Sequence, residues 1–444
     1  MSTGSETTLP PRSGQGLYAR LWRWHFFAAL VVIPFVLWQA ITGVAYLWHE
    51  DLDAISYPQL MRVSPGAGAV SLERQLASVL AHQPREGLAS IEIHADPTRS
   101  TAFFFNDPNG LPFPAFVNPH DGEYLGSVPS THWIRGLSRG LHGGWPIQPY
   151  GSYLLELGAS WAIVMTLTGL YLWWPRSANG LAGVLYPRLR AGSRVFWRDL
   201  HATVGVYFAL IFLAFLFTAL PWTTFWGNEV LGRVEQATGQ ASPTGFFFAS
   251  AAGHDHGASA SGAAMSHSEH HAAHGMPLDE IVANARAAGV RGDIELHPSA
   301  GGAPVNVRDN HPRAYDEVWL QLDGHSGAVL TRVSWQDFPT LPRIVSLGVD
   351  LHEGSFFGRA NQVFNTVVAL SLVWLSVTGF VGWYRRRPRG GLAAPPRREV
   401  RFPRAVLVTA AALCIVLPML GASVLAIFLL DRSVGRFLAP TPAG

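Results

Sequence analysis

The chain has 444 residues and a formal net charge of +2, and only 14% of its residues are charged while 48% are hydrophobic. That charged fraction is well under the ~25% of an ordinary soluble domain, which argues against a disordered chain and a simple soluble enzyme. The near-neutral balance gives a nucleic-acid partner no support. The one cysteine, Cys414, excludes an intramolecular disulfide, a CxxC redox pair, an all-Cys iron–sulfur cluster and CxxCH haem attachment.

Taken in chain order, five apolar runs reach the ~20 residues a helix needs to cross a bilayer. The expected spans are 24–48, 152–174, 201–222, 363–384 and 405–430. The first is too long, and too poor in small residues at its end, for a removable signal peptide. Trp22, Trp24, Trp48, Trp173, Trp174, Trp222, Trp226, Trp383 and Tyr384 crowd the span ends as an interfacial aromatic belt. All 32 basic residues are arginine, and 16 of them fall in segments 1–23, 175–200 and 385–404. Arginine-dense segments mark the cytoplasmic side, so the N-terminus is expected inside. Segments 49–151 and 223–362 are then outside, as is the tail 431–444. Alternatively, the fifth run lies peripherally.

The spacing indicates an internal repeat. His25 to Thr42 and His201 to Thr218 are both 17 residues, and His142 to Thr168 and His352 to Thr378 are both 26. Leu141-His142-Gly143-Gly144 parallels Leu351-His352-Glu353-Gly354. Thr168-Gly169 to Trp173-Trp174-Pro175-Arg176 parallels Thr378-Gly379 to Trp383-Tyr384-Arg385-Arg386. Each outside segment reads as a small α+β module. Helical spacing covers Ser71–Ala81 and Leu278–Ala288. Strands are expected at Ser90–His94, Thr101–Asn106 and Ala115–Asn118, then at Asp293–His297, Pro304–Arg308 and Glu317–Leu322. Hairpin turns follow at Asp121-Gly122 and Asp323-Gly324.

These duplicated helix ends, LHxG segments and hairpins resemble the PepSY-associated transmembrane-helix family, which includes iron-regulated inner-membrane proteins and ferric-siderophore reductases. The resemblance covers about residues 20–390. The expected architecture is a mainly α membrane protein. It has four core transmembrane helices as two tandem repeats, a fifth C-terminal helix, and two extracytoplasmic α+β PepSY-like modules. The resemblance implies b-type haem and electron transfer across the membrane.

The histidines point the same way independently. His25 and His201 occupy repeat-equivalent inner positions, and His142 and His352 equivalent outer ones. A two-fold arrangement of repeats brings equivalent residues face to face, as a bis-imidazole haem requires. The run from His25 to the outer interface rises ~36 Å, so two haems, one near each face, are expected. Arg23, Arg198, Arg139 and Arg343 are candidates to bind haem propionates, and positive-inside topology also explains the inner ones. Gly143 and Gly354 would admit a flat macrocycle against the backbone. Alternatively, the four histidines cap helices or bind lipid headgroups. His49, whose repeat equivalent is Phe225, is an alternative ligand, a proton donor, part of a substrate site or a surface residue. Glu156 suggests proton or quinol handling, or is an interfacial residue of its helix.

The stretch 241–276 is low in complexity and should be disordered. Its His254, His256, Met265, His267, His270, His271, His274 and Met276 suit zinc, copper or nickel, or mark a tolerated loop expansion. No dinucleotide fingerprint, P-loop, GxSxG or HExxH is present, so no catalytic residue is assigned. Electrons must come from membrane quinol or a cytosolic flavoprotein. The resulting expectation is a bacterial inner-membrane oxidoreductase that reduces a periplasmic ferric siderophore or a metal ion, with iron or copper as the substrate metal. The rival is a non-enzymatic metal-binding accessory or regulatory protein.

Overall fold

The computed structural model describes residues 13–176, 180–243, 275–299, 302–310, 314–387, 391, 395 and 402–437. The chain opens with the long helix α1 (Ser13–Leu47), then α2 (His49–Ser56), α3 (Pro58–Met61) and α4 (Leu72–Leu80). Strands β1 (Leu88–Ile93), β2 (Thr101–Asn106), β3 (Pro112–Val117) and β4 (Tyr124–Ser127) follow. Helices α5 (Ile134–His142), α6 (Tyr150–Trp173), α7 (Ser193–Ala219) and α8 (Gly232–Thr238) come next, then α9 (Leu278–Ala287). Strands β5 (Asp293–His297), β6 (Val305–Asn310), β7 (Val318–Leu322) and β8 (Val329–Ser334) precede α10 (Thr340–Glu353) and α11 (Arg359–Tyr384). The last helices are α12 (Arg404–Val416) and α13 (Pro418–Phe437). Two compact units result, Met1–Ala40 with Tyr153–Trp226 and Val367–Gly444, and Ile41–Ser152 with Gly227–Thr366.

The first unit is helical. Four helices, Gly16–Leu47, Tyr150–Trp173, Ser193–Trp222 and Arg359–Tyr384, are long and apolar enough to cross a membrane. Inside the unit, Val32 and Val36 pack on Ala162. A Cβ at Gly158 would sit 2.6 Å from the Phe35 ring, so glycine lets α6 approach α1 closely. Leu30, Val31, Leu210, Phe380 and many other apolar side chains point outward, which is stable only against hydrocarbon. The protein is a multi-pass membrane protein in contact with lipid.

The single fifth helix expected over 405–430 is instead two. α12 and α13 meet at 118° across Leu417. Pro418 is the cause: its ring has no amide to donate, and it steers the preceding residue away from helical angles. Leu417 accordingly has φ −120° and ψ 80°. The corner is anchored because Leu417 and Leu420 are buried against Ile163 and Leu220.

The second unit carries an eight-stranded sheet in the order β4-β3-β2-β1-β5-β6-β7-β8, with every pairing antiparallel. The two α+β segments therefore do not stand as separate sheets, because β1 and β5 join edge to edge, which leaves fewer open edges. Strands β4 and β8 follow the hairpin turns and were not among the expected strands. β3 starts earlier than expected despite Pro112 and Pro114. The Pro114 carbonyl receives the Val128 amide just past the end of β4, so its missing N–H costs only a terminal rung.

Alternation sorts the two faces of the sheet. Phe103, Phe105, Ile294, Leu296, Val307 and Leu320 face a core shared with Leu76 of α4 and Ile281 of α9. Ala102, Phe104 and Phe116 face the other way, against Met61 and Trp133. The starts of α4 and α9 are capped reciprocally. Asp279 accepts the Leu72 amide at 3.0 Å, and Glu73 accepts the Leu278 amide.

At the centre, Glu92 of β1 stands directly opposite Glu295 of β5. Like charges in that register repel, and arginines offset the repulsion. Arg135 reaches Glu92 at 2.6 Å, and Arg308 lies 3.8 Å from Glu295 and 3.0 Å from Glu317. Burial alone would raise the Glu295 carboxyl, but the His297 hydrogen bond and the Arg308 charge hold it at about 2.

Phe103 is fully buried, so Phe103→Ala should cost about 3–5 kcal/mol. Val329 lies on the exposed end of edge strand β8, so Val329→Ala should change stability by under ~0.5 kcal/mol. Thermal unfolding in detergent, followed by near-ultraviolet circular dichroism, measures both.

Candidate functional site

Two histidine pairs form, one in each unit. In the first unit, His25 of α1 faces His201 of α7, with ring centroids 6.5 Å apart and planes at 83°. Each ring is held by a neighbouring helix. His25 Nδ1 is 3.1 Å from Thr168 Oγ1 on α6. His201 Nδ1 is 3.1 Å from the Leu375 carbonyl and 3.3 Å from Thr378 Oγ1 on α11.

The Thr168 hydroxyl donates its one hydrogen to its own helix, at 2.9 Å from the Val164 carbonyl. Thr378 does the same to Trp374 at 2.8 Å. Each threonine oxygen is then an acceptor, and the Leu375 carbonyl can only accept. With the threonine hydrogens placed that way, each imidazole would carry its hydrogen on Nδ1 and leave the Nε2 lone pair for a metal. The residue after each threonine is glycine. A Cβ at Gly169 would lie 3.3 Å from His25 Cε1, and one at Gly379 would lie 3.3 Å from His201 Cε1.

In the second unit, His142 ends α5 and His352 lies in the last turn of α10. Their ring centroids are 6.4 Å apart, with planes at 65°. His142 Nδ1 is 3.0 Å from Thr42 Oγ1, and a Cβ at Gly43 would lie 3.2 Å from its Cε1. The helices carrying this pair are fixed at their ends. The buried Asp53 carboxylate accepts the Ile134 and Arg135 amides at 3.0 and 3.1 Å, capping the start of α5. At the other end of α10, Asn365 donates to the Leu351 and His352 carbonyls at 2.8 and 2.9 Å, and Asn361 donates to Leu351 at 3.0 Å. Gly354 closes the helix in the left-handed conformation, with φ +81°. Gly143, with φ −82°, needs no such freedom.

The ring separations of both pairs match that of two imidazoles bound on opposite sides of one metal. Two rings bound from opposite sides, each at ~2 Å from the metal, have centroids ~6 Å apart. Two imidazoles from different helices form a donor set that haem iron accepts.

The remaining candidates divide. Arg139 lies on α5 one turn before His142. Arg23 donates to the Pro395 carbonyl and lies over the Phe27 ring. Arg198 is committed to Asp199 at 2.7 Å, which also holds Arg188. Arg343 donates to the Gln336 carbonyl at 2.6 Å. His49 packs beside Tyr46, with centroids 5.2 Å apart. Burial, helped by the charges of Arg135 and Arg139, holds His49 at about 3, so it stays neutral. Glu156 is buried, and its Oε2 receives the Thr223 hydroxyl and the Trp226 amide, each at 3.0 Å. It ties down the turn after α7.

His254, His256, Met265, His267, His270, His271 and His274 lie outside the described residues. Met276 lies 3.7 Å from the Asn284 amide nitrogen. Among the described residues, no group of three or more His, Cys, Asp or Glu could hold a metal ion.

Sequence reasoning read the Thr-Gly steps as repeat markers and as places where a flat macrocycle or a neighbouring helix could approach the backbone, and it missed Asp53, Asn361 and Asn365. The equal spacings from each histidine to a threonine were the signal for the first group. Asp53 and the two asparagines carry none, since their partners are main-chain groups, which leave no mark in the sequence.

Burial pushes the Asp53 carboxyl up to about 6, against the lowering effect of its two amide bonds. A carboxyl raised on folding binds extra protons in the native state, so stability should fall as pH rises from about 4 to about 6. Asp53→Asn should flatten that slope. Asp53→Ala, which loses the cap, should cost about 1–2 kcal/mol. Denaturant unfolding at several pH values tests all three.

Comparison with curated proteins finds no match. A family model described as the PepSY-associated TM region matches residues 22–386, well over half of the chain, and the chain belongs to that family.

Proposed function

We propose that this protein is a haem-b oxidoreductase of the bacterial inner membrane, built as two tandem repeats with PepSY-like halves in its sheet unit. The observation that carries the reading is the pairing of repeat-equivalent histidines, with ring centroids at 6.5 and 6.4 Å. His25 and His201 would hold one haem near the cytoplasmic face, and His142 and His352 a second on the periplasmic side. Arg139 is the arginine best placed for a propionate, since Arg23, Arg198 and Arg343 already have partners. Bound haem supplies a one-electron Fe(III)/Fe(II) couple.

The chain's own residues do the rest. The histidines fix the two ends of the route, and the apolar helices exclude water from it. The electron donor is membrane quinol or a cytosolic flavoprotein. The acceptor is a periplasmic ferric siderophore or metal ion, whose Fe(III) gains one electron and leaves its chelator more readily as Fe(II). The neutral His49, beside Tyr46, Arg135 and Arg139, suits the periplasmic end of this route.

The absorbance of the purified protein, with haem counted per chain, tests the proposal. About two low-spin b-type haems per chain are expected, falling to about one in His25→Ala, His201→Ala, His142→Ala or His352→Ala. Full haem content and unchanged spectra in both His25→Ala and His201→Ala would overturn the inner assignment. Absence of haem after expression with ample supply, together with metal binding, would establish a metal-binding accessory protein instead.

A further inference from the structure

The Thr-Gly steps have a geometry that packing alone does not require. Small residues let helices approach closely, and alanine or serine would serve that end. Here, in three separate places, a threonine oxygen lies 3.0–3.3 Å from the Nδ1 of a histidine on another element. In the same three places the following glycine lies under Cε1 of that ring. A Cβ would come within 3.2–3.3 Å, closer than the ~3.5–4.0 Å of a relaxed carbon contact.

We infer that Thr168 with Gly169, and Thr378 with Gly379, are positioning residues for His25 and His201. The hydroxyl oxygen locks the Nδ1–H tautomer, and the bare Cα sets the plane of the ring, so that Nε2 is presented as the ligand atom. Thr42 with Gly43 does the same for His142. The fourth repeat-equivalent step is Thr218-Ala219, where the glycine is replaced.

The hydrogen bond at Nδ1 sets how strongly Nε2 donates to a metal. The threonine spends its own hydrogen on the Val164 or Trp374 carbonyl, so its oxygen can only accept from the ring. An imidazole whose N–H meets an acceptor is a better electron donor at its other nitrogen. Such a ligand favours Fe(III) over Fe(II) and lowers the midpoint potential. Removal of the acceptor should raise it.

The test has two arms. The first is independent of haem: nitrogen-15 spectra of the histidine-labelled protein as expressed without added haem. His25 and His201, assigned by single substitution, should show the Nδ1–H tautomer. Thr168→Val should shift the His25 signals toward a mixture of tautomers, and Thr168→Ser should restore them. The second arm rests on the haem reading. In haem-loaded protein, Thr168→Val and Gly169→Ala should keep the haem content while changing the ferric electron-paramagnetic-resonance signature. Thr168→Val should also raise one midpoint potential, and Thr168→Ser should restore it.

If Thr168→Val does not fold, Thr378→Val with Thr378→Ser runs the same comparison at His201. Unchanged tautomers, unchanged resonance and unchanged potential in a folded threonine-to-valine variant would overturn the inference. Full haem retention by His25→Ala and His201→Ala would overturn the haem reading while leaving the tautomer result standing.

Discussion

A histidine among apolar helices has one N–H that must meet an acceptor, because no water is there to receive it. That requirement organises the first unit. His25 reaches across 143 residues of sequence to Thr168, and His201 reaches across 177 to Thr378. The bonds join α1 to α6 and α7 to α11. Once α1 and α6 are joined at that level, Phe35 can lie against Gly158 and Val32 against Ala162. The polar contact fixes the register, and the apolar contacts supply the bulk of the burial energy.

The second unit meets the same demand with charges and helix ends. Glu92 and Glu295 face each other across the central strands, a register that would be unstable without Arg135 and Arg308. Arg135 is the second residue of α5, and the Asp53 carboxylate holds that same turn. The helix that ends in His142 is therefore pinned at its start to both a buried carboxylate and the sheet. The helix that carries His352 is pinned at its end by Asn361 and Asn365. A ring separation of 6.4 Å follows from backbone hydrogen bonds at helix termini, which tolerate far less movement than a loop.

Much of this was legible from spacing. Equal intervals of 17 and 26 residues from histidine to threonine are a statement about helix register, and register is what brings Thr168 to His25 and Thr378 to His201. The strands were legible where β-branched and aromatic residues cluster, as in Thr101–Asn106. They were less legible where prolines interrupt, as in β3. The joining of β1 to β5 was not legible, because both strands alternate as any half-buried strand does and nothing local marks a partner. The corner at Leu417 was readable from Pro418 in principle, but the continuous apolar composition of 405–430 outweighed a single proline. The arginines were the poorest guide, since nothing in their spacing marks partners such as Asp199 and the Gln336 carbonyl.

The choice of acceptor tracks the surroundings. A carboxylate would be the stronger partner for a ligand imidazole, and outside the spans the protein uses it: His94 meets Asp293 at 2.7 Å, and His297 meets Glu295 at 3.4 Å. Within a span, an aspartate near the helix centre would cost ~2.5–3.5 kcal/mol and would leave a charge beside the ring. A threonine avoids both costs. Its hydrogen is absorbed by the helix that carries it, its oxygen is neutral, and its methyl packs among the neighbouring side chains. The threonines that meet a histidine of another element, Thr42, Thr168 and Thr378, lie on helices long and apolar enough to cross a membrane. A hydroxyl acceptor is weaker than a carboxylate, so the imidazole gains less donor strength from it. On the haem reading proposed above, aspartate seats would favour Fe(III) more strongly, whereas threonine seats would keep both oxidation states within reach.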